Sequence, residues 1–371
     1  MISKKFTGQE DNGELKQPQE KDEEHVLTFF LKPQSHSKWV ISTTKENGET
    51  GHLAVLKRSD GEFVYVVGSK NTHLVVQTLE DIERTRELGK QVNGGDVFFA
   101  ATSISIPILR MIMTLEAPKR TLLCEFLWQT RATASFEVLC LSHQHVQLLD
   151  YLTQDTPVFY GLSLMSFNSP DDAEMCVNPV LLYEFMRALG VRTVAYDIAQ
   201  FTPENVENVL ERSKRAYKHE GSVHLFLDDR AAVIGMQKSK SIWYVCLRAI
   251  REKAKSFCRT LYSTKVSKDR TTPLSPIEKL DTAKKAIHAR FKTIPPFLKI
   301  SDEVANVYET LGKQFIEYLF EFELFCGLAA SGDQKEQCKQ VTKDVTNLFP
   351  MMWRKFLDHT GQTDDFSLQS S

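Results

Sequence analysis

The sequence predicts an α+β protein, with antiparallel sheets and flanking helices over residues 26–265 and a small all-α domain over 271–371. Three observations carry this. Short β-rich runs are joined by tight turns, the clearest being Arg58-Ser59-Asp60-Gly61, where Asp-Gly between two such runs signals a hairpin. Helical segments lie among those runs, opened by Asn178-Pro179 and Thr202-Pro203, a capping residue followed by proline at the first helical position. Finally, Ser275-Pro276-Ile277-Glu278 is a capping box, and the pattern is helical from there to about His359.

Length and composition set the outer bounds. A chain of 371 residues suggests about two domains, and 42% hydrophobic with 25% charged residues suits a globular core. No apolar run reaches the roughly 18 residues of a membrane span, so no membrane partner is expected. The N-terminus lacks the apolar core of a signal peptide, which points to a cytoplasmic or nuclear protein. Seven scattered cysteines without a Cys-x-x-Cys pair speak for reduced thiols and against a disulfide framework or a zinc site. Residues 1–25, with seven acids and four bases, read as a disordered acidic tail. Residues 238–270 carry ten Lys or Arg against Glu252 and Asp269, which fits either a phosphate-backbone footprint or a solvated helix face.

Taken in order, the folded part begins near Val26. Trp39-Val40-Ile41 is a strand ending in Lys45-Glu46-Asn47-Gly48, where Asn47-Gly48 is also a common hairpin turn pair. Leu53–Lys57 and Glu62–Gly68 are strands, the second leading into Gly68-Ser69-Lys70-Asn71. That loop's small residues would let a phosphate approach, with Lys70 as counter-charge. Thr78–Lys90 and Ser105–Glu116 are helical, the latter with Pro107 near its start. Thr121–Trp128 reads as a buried strand interrupted by one acid, Glu125, which is costly there without a partner or ligand. Phe136–Leu141, Pro157–Phe167 and Arg192–Tyr196 are further strands. Glu220-Gly221 heads another, and Ala231–Met236 runs into Lys238-Ser239-Lys240, whose alternation puts both lysines on one face. Ile242–Tyr262 is a basic amphipathic helix, Ser263–Thr272 a linker, and Tyr308, Leu311, Phe315, Tyr318, Leu319, Phe322 and Phe325 stripe the longest C-terminal helix. His143-Gln144-His145 invites a metal reading, but the sequence offers no companion ligand and the pair is expected at the surface.

The charged positions fall in a fixed order: Lys45-Glu46-Asn47-Gly48, Cys124-Glu125-Phe126, Val158-Phe159-Tyr160-Gly161, Glu220-Gly221-Ser222-Val223 and Lys238-Ser239-Lys240. Over about residues 38–255 this order resembles the covalent nucleotidyltransferase superfamily of RNA ligases, DNA ligases and capping guanylyltransferases. Gly68-Ser69-Lys70-Asn71 is similar to the serine-lysine loop of bacteriophage-type and fungal tRNA-type RNA ligases, and Trp243–Glu252 to the segment after the last motif of the fungal tRNA ligases. The chain departs from the pattern at Asn47, often aspartate, and at Ser222, commonly valine. The fold implied is a nucleotidyltransferase (ATP-grasp-like) domain.

The resemblance implies an ATP-dependent RNA ligase joining 5′-phosphate and 3′-hydroxyl RNA ends through lysyl-AMP, with ATP and Mg²⁺ (or Mn²⁺). Lys45 is the implied nucleophile, with its pKa lowered by burial and neighbouring lysines. Lys238 and Lys240 complete the catalytic set and would steady charge on the α-phosphate. Glu46, Gly48, Lys70, Glu125, Phe159 and Glu220 are the implied nucleotide contacts, Phe159 as the adenine stacker and Glu220 also as metal ligand. Two alternatives remain. One is a catalytically inactive nucleotidyltransferase fold that binds RNA; the other is a GTP-using capping enzyme, disfavoured because the chain ends in helices rather than an OB-fold barrel.

Overall fold

The structure is a computed structural model that describes residues 30–93, 95–163, 178–261, 272–321 and 334–365. The acidic tail, most of the linker, Phe322 and Phe325 lie outside the described residues. Two antiparallel sheets with flanking helices form the first part. One sheet has the order β7-β1-β8-β9, from Tyr196–Gln200, Trp39–Thr44, Gly221–Leu227 and Val233–Lys240. The other has the order β4-β3-β2-β5-β6, from His73–Val76, Phe63–Ser69, Glu49–Lys57, Thr133–Leu139 and Thr156–Ser163.

The Asn47-Gly48 hairpin reading fails. β1 and β2 are consecutive in the chain but belong to different sheets, so Lys45–Gly48 is the crossing between them. At Gly48 a Cβ would stand 2.3 Å from the Val138 carbonyl oxygen, so only glycine lets the chain enter the second sheet against β5.

The first sheet is covered on both faces, as the alternation of β1 requires. Ile41 packs with Leu225, Leu227 and Val233 on one side; Val40 packs with Phe226 and Ile234 on the other. Among the described residues one face of the second sheet is covered by α2 (Phe99–Thr114) and α3 (Ala117–Thr130), which follow α1 (Leu79–Asn93), together with Leu182, Tyr183 and Met186. β5 shows why: Ala134, Phe136 and Val138 are buried toward the helices, leaving Ser135 and Glu137 for the other face. Gly51 on β2 confirms the direction, since a Cβ there would meet Ile104 and Ile108 of α2.

The run Thr121–Trp128 is therefore not a strand but most of α3. Proline at its first turn and Arg131 in the left-handed conformation (φ 53°) bound the helix. Leu123, Cys124 and Leu127 are buried at helical spacing, whereas Leu122 and Trp128 are exposed. α2 likewise begins six residues before Ser105, so Pro107 is interior to it.

α4 (Pro179–Leu189) and α5 (Pro203–Arg215) begin at the Asn178 and Thr202 caps. α6 (Ile242–Leu261) leaves β9 through Ser241, whose hydroxyl accepts from the Tyr244 amide. The remaining elements are helical: α7 (Pro276–Phe291), α8 (Ile294–Leu298), α9 (Asp302–Tyr318), α10 (Gln334–Asn347) and α11 (Phe349–Thr360). Ser275 and Glu278 form the capping box of α7. One hydrophobic cluster joins α6 to these helices, including Ile250, Phe257, Ile287, Tyr308, Phe315, Val345 and Trp353. Asp364 fastens it: its carboxylate accepts from the Tyr217 hydroxyl at 2.8 Å and from both the Trp243 and Trp353 indoles at 2.9 Å. Among the described residues no helix is long and apolar enough to cross a membrane.

Candidate active site

Lys45 extends β1 by one residue, its amide donating to the Gly221 carbonyl at 2.9 Å. Its Nζ lies 2.6 Å from Glu220 Oε1, with about a fifth of the lysine side chain exposed. Glu220 stands at the head of β8, where Gly221 adopts φ +134° and a Cβ would come 2.0 Å from the Ser239 carbonyl oxygen. This close approach of β8 to β9 brings Glu220 beside Lys240, because Gly221 and Lys240 are register partners. Lys238 follows two residues before on the same strand, and Lys45 is among the charges that act on both lysines.

Asn47 is buried, and both polar atoms of its side chain are bonded. Its Nδ2 donates to Glu220 Oε2 at 2.8 Å, and its Oδ1 accepts from the Val146 and Gln147 amides at 3.0 and 3.1 Å. The departure from aspartate now has a physical reason: an aspartate could accept from the two amides but could not donate to Glu220.

The acid that meets Lys45 from the second sheet is Glu137, not Glu125. Glu137 accepts from the Gly48 amide at 3.0 Å and faces Lys45 across the cleft. Glu125 sits on α3 in an ion pair with Lys57. Burial, then the nearby Glu220 carboxylate, pushes the Glu137 carboxyl up to about 7, with Lys45 opposing. The expectation of a depressed Lys45 is reversed in this state. Burial pulls its ammonium down, but Glu220 and Glu137 outweigh that and hold it well above the usual lysine range. The depression falls instead on Lys238 and on Lys240, the latter brought to about 8 by burial and by Arg248, Lys45 and Lys238 against the pull of Glu220.

Phe159 does not face the site. It is wholly buried, edge-on to Phe136 and Tyr183 in the core. The register of β5 and β6 shifts between Ser135 and Phe136, which makes Tyr160 the extra residue of a bulge. A bulge re-aims the side chain it carries. Tyr160 is half-exposed, its hydroxyl bonds with Ser135 and Thr50, and both Glu137 and Lys45 act on it; burial pushes its phenol up to about 12.

Lys70 is exposed in the β3–β4 turn, close enough to add to the depression of Lys238. Glu46 is pushed up by burial, with Arg192 and Lys45 opposing. Arg192 and Tyr244, which no sequence motif marks, join the site, as does Arg248, a base expected to brace the nucleotide pocket because it lies so close to Lys240. Lys240 lies 5.8 Å from the centroid of the Tyr244 ring, and Tyr244 and Arg248 both belong to the start of α6. The basic stretch is partly spent internally: Arg251 donates to the Thr346 carbonyl and Lys255 pairs with Glu252. A separate surface cavity of about 390 Å³, lined by Ser42, Asp197, Asn205, Asn208 and Arg212 among others, shares no residue with the Lys45 cluster.

In chemical terms the cleft holds one lysine between two carboxylates, with two further cations beside it and an aromatic ring on the opposite sheet. Such a set can accept a polyanion, and it places a carboxyl raised to about 7 beside a lysine that the ion pair keeps protonated. The chain belongs to the family described as a domain of unknown function (DUF7920), whose profile matches residues 34–251. A comparison with curated proteins finds no match. Among solved structures it is similar to an archaeal ATP-dependent RNA ligase, with 13% identity and a TM-score of 0.37 over 91% of this chain and 65% of that one. It is also similar to an RNA ligase of Naegleria gruberi, a mutant with ATP and Mn, with 13% identity and a TM-score of 0.36 over 57% of this chain and 52% of that one. Another mutant of the Naegleria enzyme, in its apo form, has 15% identity and a TM-score of 0.37 over 66% and 60% of the two chains. The chain thus spans about half to two thirds of the length of these proteins.

Proposed function

We infer that the protein is an ATP-dependent RNA ligase that joins RNA 5′-phosphate and 3′-hydroxyl ends through lysyl-AMP and adenylylated-RNA intermediates. The observation that carries this reading is Lys45, held between two sheets by Glu220 and faced by Glu137, Lys238 and Lys240. At rest the ion pair keeps Lys45 protonated, so attack on an α-phosphate requires the pair to part. Glu137, with a pKa near 7, is a group beside Lys45 able to take up that proton at neutral pH. Lys238 and Lys240 are assigned to the phosphate charge that grows in the transition state, with Lys70 at the rim for the outer phosphates. Tyr160, rather than the core residue Phe159, is assigned to face the adenine, and Glu137, rather than Glu125, is assigned the acidic role. Glu46, beside Arg192, is assigned to the nucleotide.

The donor set fits a hard divalent ion. Glu220 is a carboxylate close enough to Glu137 to raise its proton affinity, a crowding of negative charge that a cation relieves. Glu220, once its pair with Lys45 parts, would hold Mg²⁺ or Mn²⁺, which would supply positive charge against the phosphoryl oxygens, leaving Glu137 to take the proton. Among the described residues every element after β9 is a helix. The test is incubation with α-labelled ATP or GTP and Mg²⁺, denaturation, and then addition of RNA bearing 5′-phosphate and 3′-hydroxyl ends. Covalent AMP followed by joined RNA supports the ligase. Covalent GMP supports a capping enzyme, and no label supports an RNA-binding protein without chemistry.

A further inference from the structure

We propose that Glu49, His143 and His145 form a second metal site, for a zinc-class divalent ion, on the rim of the lysine loop. One carboxylate oxygen of Glu49 lies 3.0 Å from His143 Nδ1 and 3.0 Å from His145 Nε2. All three donor atoms fall within 4.8 Å of one another. Ligands of a tetrahedral ion bound at about 2.1 Å stand roughly 3.4 Å apart, so the donors already have nearly the required spacing. Two imidazoles and a carboxylate suit zinc and its first-row neighbours rather than magnesium, which separates this site from the Glu137–Glu220 carboxylate pair. Three protein ligands leave a coordination position open, the pattern of zinc sites that bind water or substrate rather than closed structural ones.

The backbone holds these donors in place before any ion arrives. Gln144, between the two histidines, is buried, and its amide donates to the Asn347 carbonyl at 2.6 Å. Its side chain donates to the Leu141 carbonyl and accepts from the Leu149 amide, both at 3.0 Å. With Gln144 turned inward, residues 143 and 145 both project outward, and their rings lie 5.1 Å apart. From the other side, Val146 and Gln147 are held by Asn47, while Glu49 begins β2 one residue after Gly48. The sequence displays the His-x-His pair but hides its partner, because Glu49 is 94 residues before His143 and meets it only through the pairing of β2 with β5. An ion there would tie the 141–149 loop to the same short segment that carries Lys45, Asn47 and Gly48.

The experiment is calorimetric titration of the full-length, chelator-stripped protein with Zn²⁺ alone, repeated on Glu49→Gln, His143→Ala and His145→Ala. The expected result is one equivalent per chain for the wild type and an affinity at least about 100-fold weaker in each variant, since loss even of an outer-shell partner costs 10–100-fold. No binding by the wild type, or equal binding by all three variants, overturns the proposal. X-ray absorption of the zinc-loaded wild type decides independently of whether any variant folds. Imidazole nitrogen and carboxylate oxygen around the ion support the site, and sulfur in the shell overturns it.

Discussion

Asn47→Asp installs the residue often found at this position of the motif that the chain resembles, yet it should damage this protein. Asn47 is 4% exposed, and its Nδ2 donates to Glu220 Oε2 at 2.8 Å. Aspartate keeps the two bonds to the Val146 and Gln147 amides but turns the third into a contact between carboxylates. Loss of a hydrogen bond to a charged acceptor costs about 1.5–3 kcal/mol. Lys45, already paired to Glu220, offsets part of the added repulsion, so a net loss of about 2–3 kcal/mol is expected at pH 8. The pH dependence has a definite sign. The new carboxyl pair has a folded pKa above the unfolded value near 3.9, so its penalty is full above the folded pKa and fades as pH falls toward 4. Denaturant unfolding of wild type and variant at pH 8 and pH 5 measures this. A variant as stable as the wild type at pH 8, or one whose deficit grows on acidification, would refute the role given to Asn47.

The remaining predictions concern the two sheet faces, the closing lysines and one buried histidine. Phe159→Ala should destabilise by about 3–5 kcal/mol as a core truncation, whereas Tyr160→Ala should leave the unfolding midpoint nearly unchanged and weaken ATP-dependent labelling of the protein; the opposite assignment of effects would return the nucleotide face to Phe159. Lys238→Ala and Lys240→Ala should each slow labelling by about 100-fold or more, the scale of removing a preorganised charge stabiliser, and near-normal rates in both would remove them from the site. His224 is wholly buried beside Ser42, and burial, with Arg212, lowers its pKa to about 4. Because the unfolded chain binds that proton near 6.5 and the folded one does not, stability should be complete above pH 6.5 and fall by about 3 kcal/mol as pH drops to 4. His224→Gln should flatten that slope, and parallel pH profiles for the two proteins would contradict it.

What could be read from the residues divides along physical lines. Caps, turns and the lysine-bearing ends of strands are local signals, and Ser275, Asn178, Thr202 and the Lys238-Ser239-Lys240 strand all appear where those signals put them. The acid of the second sheet was misassigned because Leu122–Trp128 is apolar enough for a strand, and a short apolar run does not reveal its period by hydrophobicity alone. Its exposed ends, Leu122 and Trp128, show up only when α3 is packed on the sheet. A signal for Glu137 was present, an acid flanked by Phe136 and Val138 in a strand whose alternate residues are apolar. That Tyr160 and not Phe159 faces the cleft is invisible in the sequence, since it depends on a bulge set by the pairing of β5 with β6. The pKa of Lys45 was misjudged for a related reason: its two carboxylates arrive from positions 92 and 175 residues away, and only the fold sets them against the neighbouring lysines.

The most direct test of the account is the site of covalent modification. The protein is incubated with ATP and Mg²⁺, denatured, digested, and its peptides weighed by mass spectrometry. The account predicts an added AMP on the peptide containing Lys45, absent from Lys45→Ala while that variant's unfolding midpoint stays near wild type. AMP on another lysine, or persistent labelling of Lys45→Ala, would contradict it.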